Sequence, residues 1–181
     1  MEFTPKTIPL KNGRTALLRS PVIEDAPQMV EFLKTIAGET EFMLRDPEEC
    51  VGDVEGEKAF LDGILRSDTE LMIVCEVDGV LAGNCHLSFN TRLKTRHRAT
   101  VAIGLLSRFW GLGIGTALFQ EMITAARDRG LDHLELDYIE GNERARHLYE
   151  KMGFYQVAQV PDVYRLKDGS MRQNVLMIKK L

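Results

Sequence analysis

The sequence predicts a mixed α/β fold: a central, mostly antiparallel twisted sheet of about six or seven strands flanked by about four helices. Three observations lead there. "ELMIVCEVDGVLAGNCHLSF" (70–89) is two β-rich runs joined by Asp78-Gly79, the strongest short hairpin signal. A third strand-like run, "ATVAIGLL" (99–106), follows before any helix, and three successive hairpin-like strands exclude a simple doubly wound sheet. The remaining strands alternate with helical stretches, so helices must cover both faces.

The elements follow in order. "TALLRSP" (15–21) reads as a strand, and residues 23–37 carry apolar side chains at Met29, Val30, Leu33, Ile36 and Ala37, which is helical spacing. The acidic stretch 38–56, broken by Pro47 and glycines, reads as a loop or short helical pieces. Residues 57–67 form a second helix with Phe60, Leu61, Ile64 and Leu65 on one side. After the hairpin and a basic turn (92–98) comes the strand 99–106, then a long helix over 117–130 with Gly130 as its stop. "HLELDYI" (133–139) alternates as a strand, and 142–153 is a helix with an Asn start and a Gly stop. Strands over 154–160 and 174–180 finish the chain, with "KDGS" (167–170) as a turn between them. The order is β-α-α-β-β-β-α-β-α-β-β.

The 181 residues fit one domain, 1–181. Net charge is −4 with no basic block, which argues against nucleic-acid or membrane-surface binding and is compatible with a cationic substrate. Cys50, Cys75 and Cys85 form no CxxC pair; in a two-residue hairpin Cys75 faces Ala82, so Cys85 is out of register for a bridge. Reduced thiols and the lack of an apolar leader point to a cytoplasmic protein.

Two stretches carry chemistry. In "RFWGLGIGT" (108–116) glycines fall at every second position, between a strand and a helix. A helix start offers unpaired N–H groups and the positive end of the dipole, and glycines let an anion approach. The competing reading is a tightly packed loop. There is no Gly-Lys-Ser/Thr, and a near-match to the dinucleotide fingerprint, with Asp137 as its acid, fails on topology. In "NERARHLYEKMGF" (142–154), Ala145, Leu148 and Met152 form a core stripe with Tyr149 beside it. Taken alone, this is a capped amphipathic helix with a packed tyrosine.

Together, "WGLGIGTAL" and "NERARHLYEKMGF" resemble the two signatures of the GNAT superfamily of N-acetyltransferases, Q/R-x-x-G-x-G/A and N-x-x-A-x-x-L-Y-x-x-x-G-F. The likeness is strong over residues 70–155 and looser outside. It implies a GNAT fold and acetyl transfer from acetyl-CoA, as co-substrate, to a primary amine of a small molecule or peptide. It implies that backbone groups of Trp110, Gly111, Leu112, Gly113, Ile114, Gly115 and Thr116 hold the pyrophosphate. Ile103, Gly104 and Leu105 would pair with the pantetheine arm, with the Leu105 N–H as oxyanion donor, and Asn142 would lie near the pantetheine. Tyr149 would act as general acid to the departing thiolate. A homodimer is part of the same expectation.

Departures matter. Trp110 stands where Gln or Arg is usual, so its backbone and a packing surface are expected rather than a side-chain bond to phosphate. The strand 99–106 carries no carboxylate, which leaves the base among Glu39, Glu41 and Glu140, each equally readable as a solvated loop acid. His86, His97 and the alternating His133, Glu135 and Asp137 read as structural or solvated, and no metal is assigned. The acceptor pocket is expected from 35–67 and 161–173. A non-catalytic acyl-CoA-binding module is the competing function.

Overall fold

The computed structural model describes residues 1–50 and 52–181; Val51, in the expected acidic loop, lies outside the described residues. The order is β1 (Lys6–Pro9), β2 (Thr15–Arg19), α1 (Ala26–Glu39), α2 (Val54–Arg66), β3 (Glu70–Val77), β4 (Val80–Phe89), β5 (Arg98–Leu105), α3 (Ile114–Asp128), β6 (His133–Ile139), α4 (Glu143–Lys151), β7 (Tyr155–Arg165) and β8 (Met171–Lys180). The strands form one sheet in the order β1-β2-β3-β4-β5-β6-β8-β7. Every neighbouring pair is antiparallel except β5 and β6.

Apolar spacing decides which face each helix covers. Met29, Phe32 and Ile36 are buried at three- and four-residue steps along α1. They lie against Asn84 and Gly104, on one face of the sheet. The helix α3 buries Leu118, Phe119, Met122 and Ile123 against the opposite face, where Gly115 approaches Ile103. Between these layers Leu18, Ile73, Val74, Leu87 and Leu134 are fully buried. No helix among the described residues is long and apolar enough to cross a membrane.

Three details differ from the sequence reading. An eighth strand, β1, pairs with β2 at the sheet edge; its four residues "KTIP" are mostly exposed and carry no alternation to betray it. β7 continues through Pro161 to Arg165, because the ladder is irregular between Val160 and Tyr164 and needs no N–H there. A bulge between Cys75 and Glu76 sets Cys75 opposite Gly83 rather than Ala82, while Cys85 faces Ile73. Both thiols are buried, and burial, helped by the charge of Glu76, pushes Cys75 up to about 12.

α1 is anchored at its start by a buried ionic network. Asp25, 5% exposed, receives both terminal nitrogens of Arg19 at 2.7 and 2.8 Å and the Val22 amide at 2.8 Å. Arg19 also reaches Glu76 on β3 at 2.9 Å. Burial alone would raise the Asp25 carboxyl; the hydrogen bonds from Arg19 and Val22 outweigh it and hold the group below its ordinary value. Its contribution to stability is therefore complete above the ordinary Asp value of 3.8 and drains away as pH falls through the depressed one. Arg19→Leu leaves this carboxylate buried without its partner. Urea unfolding at neutral pH should register a loss of about 3 kcal/mol. A loss below about 1 kcal/mol, the range of surface pairs, would contradict the anchor.

Candidate active site

β5 and β6 pair only at Arg98–His133, Ala99–Leu134 and Thr100–Glu135, and then part. On its other side β5 stays paired with β4 as far as Leu105. Main-chain groups on a strand alternate in direction, and the Leu106 amide donates to Ala82 at 3.0 Å. That parity turns Ala102 and Gly104 toward β4. It turns the N–H and C=O of Ile103, the N–H of Leu105 and the C=O of Val101 toward the gap; the Val101 N–H belongs to the last rung of the ladder with Glu135, and the Leu105 C=O is taken by Trp110. A cleft of about 800 Å³ opens there, walled by β5, the glycine stretch, β6, α4 and the segment after α1.

The three glycines do different work. Gly113, at φ +99, turns the chain into α3, and a Cβ there would meet nothing within 4 Å; the same holds for Gly111. Side chains are thus kept out of the space in front of the helix, whose first amides open on the cleft. Gly115 serves packing: a Cβ would come within 2.9 Å of Leu148 Cδ2 on α4. At Trp110 only the amide departs from expectation, and the ring is the packing surface. Its amide is spent on the Ser107 carbonyl at 3.0 Å. Its indole Nε1 donates to the Leu105 carbonyl at 2.7 Å, and the Arg144 guanidinium stacks 4.4 Å above its ring. The indole fixes the end of β5 and joins it to α4. Basic groups gather at this end: Lys11, whose amide bonds the Leu112 carbonyl, Arg144, and Lys151, which reaches Thr116 Oγ1 at 3.2 Å.

α4 starts on the Asn142 side chain, which accepts the Ala145 amide at 3.2 Å, and Asn142 also lines the cleft. One helical face directs Leu148 and Tyr149 inward. Tyr149 packs edge-on to Phe119 at 5.6 Å and beside Tyr138 at 5.8 Å. Burial first, then the nearby groups Cys85, Asp137 and Tyr138, raises its phenol well above the ordinary value. It stays neutral at physiological pH and keeps a proton to donate.

The opposite wall was not legible as a site. Asp137 projects from β6 into the cleft and accepts Asn174 Nδ2 at 3.0 Å; Asn174 Oδ1 in turn accepts the Tyr164 hydroxyl at 3.0 Å. The β7 irregularity, with Asp162 at φ +56, brings Tyr164 to this wall, and Phe42 and Met43 complete it. The alternation of "HLELDYI" did set Asp137 on the face opposite Leu134 and Leu136; only the parting of the strands turns that face into a wall.

The three acids offered as bases stand elsewhere. Glu39 caps the turn after β5 by accepting the Ser107 amide at 2.7 Å. Glu140 is held by Gln173 Nε2 at 3.1 Å, and neither it nor Glu41 lines the cleft. Glu135 is paired with Arg98, His86 lies 2.7 Å from Glu70, and His97 meets His133 edge-on at 5.5 Å.

The pattern of the acetyltransferase (GNAT) family matches residues 36–154. A streptothricin acetyltransferase of Streptomyces lavendulae is 33% identical over 89 residues, 49% of this chain and 46% of that protein, so the chain spans about half the length of this relative. An acetyltransferase of the GNAT family from Streptococcus pneumoniae superposes with a TM-score of 0.85 at 28% identity, over 92% of this chain and 99% of that one. A ribosomal-protein-alanine N-acetyltransferase from Brucella melitensis gives 0.78 at 25% identity, over 91% and 99%.

The two kinds of glycine are separable by mutation. Gly113→Ala should cost about 1–3 kcal/mol of unfolding free energy through backbone strain alone. Gly115→Ala should cost a similar amount by crowding Leu148, about 1–3 kcal/mol. Adding Leu148→Ala should recover part of the second loss and none of the first; equal recovery of both would refute the distinction.

Proposed function

Since this chain belongs to the acetyltransferase (GNAT) family, we propose that it transfers the acetyl group of acetyl-CoA to the nitrogen of a primary amine by direct attack, with both substrates bound. The observation that carries the reading is the gap between β5 and β6, with helix-start amides and basic groups at one end and a neutral buried phenol facing a carboxylate at the other.

The residues fit acetyl-CoA. The open approach before α3, left clear by Gly111 and Gly113, suits a pyrophosphate held by the first amides of the helix, with Lys11, Arg144 and Lys151 supplying countercharge. The Val101 C=O and the N–H and C=O of Ile103 suit the amide-bearing pantetheine arm as an added strand would. Acetyl-CoA brings an acetyl group activated as a thioester. The Leu105 N–H, turned to the gap, is the donor for the carbonyl oxygen. The Tyr149 hydroxyl donates to the departing sulfur. Asp137 anchors the incoming ammonium and relays its proton to water in the open cleft, held in place by Asn174. It takes over the role for which Glu41 and Glu140 were candidates.

One relative is named for a small molecule and another for a protein, so the reading covers both sizes of acceptor. It also retains the homodimer. The edge strand β7 exposes Tyr155, Val157, Val160 and Val163, and a second copy would cover them. Val160→Glu should then convert a dimer to a monomer in sedimentation; a monomeric parent protein at micromolar concentration would remove the dimer.

Thiol release from acetyl-CoA in the presence of an amine tests the roles. Tyr149→Phe should slow it about 100-fold or more while the affinity for acetyl-CoA changes less than about twofold. Asp137→Asn should cut kcat/KM for the amine by about 100-fold, again with acetyl-CoA binding intact. An unchanged rate in either variant removes that residue from the mechanism.

A further inference from the structure

The polarity of the cleft says more about the acceptor than the motifs do. Arg144, His147 and Lys151 follow one another along a single face of α4, at steps of three and four residues, and line the cleft together. With Lys11 they hold all the basic side chains among the described lining residues. Arg144 is stacked on Trp110 and Lys151 bonds Thr116, so this basic row belongs to the glycine-loop end. The wall around Asp137 has none. It offers Phe42, Met43, Tyr138, Ile139 and Tyr164 instead, with Asp137 as its charge among the described residues; the cleft's other carboxylate, Glu143, starts α4 and is paired with Arg146, which lies outside the lining.

The segment that supplies Phe42 and Met43 to that wall is acidic as well. Residues 39–57 carry eight carboxylates and one arginine. The basic group that reaches this loop from the β7–β8 turn, Lys167, is already engaged: its Nζ lies 2.9 and 3.0 Å from the two oxygens of Glu48 and 3.7 Å from Asp46. Arg45 in the loop is the countercharge felt by Glu57. Arg172, opposite Tyr164 in the ladder, is not part of the cleft wall.

We infer that the acceptor is a cationic amine with no carboxylate or phosphate beside its reacting nitrogen. The inference rests on the transferase reading above and adds the substrate class. An α-amino acid whose ammonium meets Asp137 would carry its own carboxylate into a wall that holds one anion, three aromatic rings and, among the described residues, no cation. That charge would be repelled by Asp137 and stripped of water without compensation. An alkylamine, an amino amide, a peptide N-terminus or a polyamine meets neither penalty. The rings of Phe42, Tyr138 and Tyr164 attract such a cation, and further ammonium groups would find the acidic loop.

Two matched trios decide it: leucine, leucinamide and 3-methylbutylamine, and phenylalanine, phenylalaninamide and phenethylamine. Each amide is less basic than its amino acid and each alkylamine more basic, so basicity cannot produce one order for both. The readouts are kcat/KM from thiol release and equilibrium binding of each amine to the CoA-bound protein. In at least one trio both neutralised compounds should exceed the amino acid by about tenfold in each readout, the discrimination expected when a site repels one competitor. An amino acid that equals or beats its amide or its alkylamine in both trios overturns the inference. Thiol release with none of the six, and none with spermidine, overturns the transferase reading itself and this inference with it.

Discussion

Everything in the site depends on β5 having a partner on one side only. A strand inside a sheet spends its amides and carbonyls on both neighbours. β5 does so for three residues against β6 and then stops, while β4 holds it straight to Leu105. Its remaining outward groups are presented in a fixed row, at the spacing of a β ladder, to whatever enters the gap. Three contacts keep that edge in place: Trp110 Nε1 on the Leu105 carbonyl, Glu39 on the Ser107 amide, and the Leu106 amide on Ala82. The cost of leaving main-chain groups unpaired is tolerable because the gap is open to water.

The parting also brings together two faces that a closed sheet would separate. Tyr149 comes from the α3–α4 side, packed against Tyr138 and Phe119. Asp137 points to the other side, where Asn174, itself bonded by the Tyr164 hydroxyl, holds it. A buried phenol and a water-accessible carboxylate therefore line one cleft, close enough for the carboxylate's charge to act on the phenol. The basic row of α4 lies to one side and the acidic segment after α1 to the other, so the cleft has a direction.

Much of this was legible in the residues. The hairpin at Asp78-Gly79, the strand 133–139 and the two helices after β5 follow from period and punctuation, and the glycine stretch and the Asn142 helix identify the family. Long-range placement was not legible. "KTIP" has no alternation, so β1 is recognisable only once β2 is there to pair with it. Pro161 suggested an end to β7, yet an irregular ladder absorbs it and delivers Tyr164 to the cleft. Asp137 reads in sequence as a polar residue on an exposed strand face; its meaning depends on where β5 goes. Glu39 and Glu140 had the right charge in the right neighbourhood, but backbone and Gln173 contacts commit them to the scaffold. Trp110 illustrates the same point from the other direction: a conspicuous residue in a ligand loop turns out to be a strut.

Amide exchange resolved along β5 reads out this one-sided pairing residue by residue. Without ligand, the amides of Ile103 and Leu105 should exchange rapidly and those of Ala102 and Gly104 slowly, since only the second set faces β4. Adding acetyl-CoA should slow the first set and the amides of Gly113 to Thr116, while Ala102 and Gly104 change little. Uniform protection from Ala102 to Leu105 before ligand is added, or no change at Ile103 and Leu105 afterwards, would contradict this one-sided pairing.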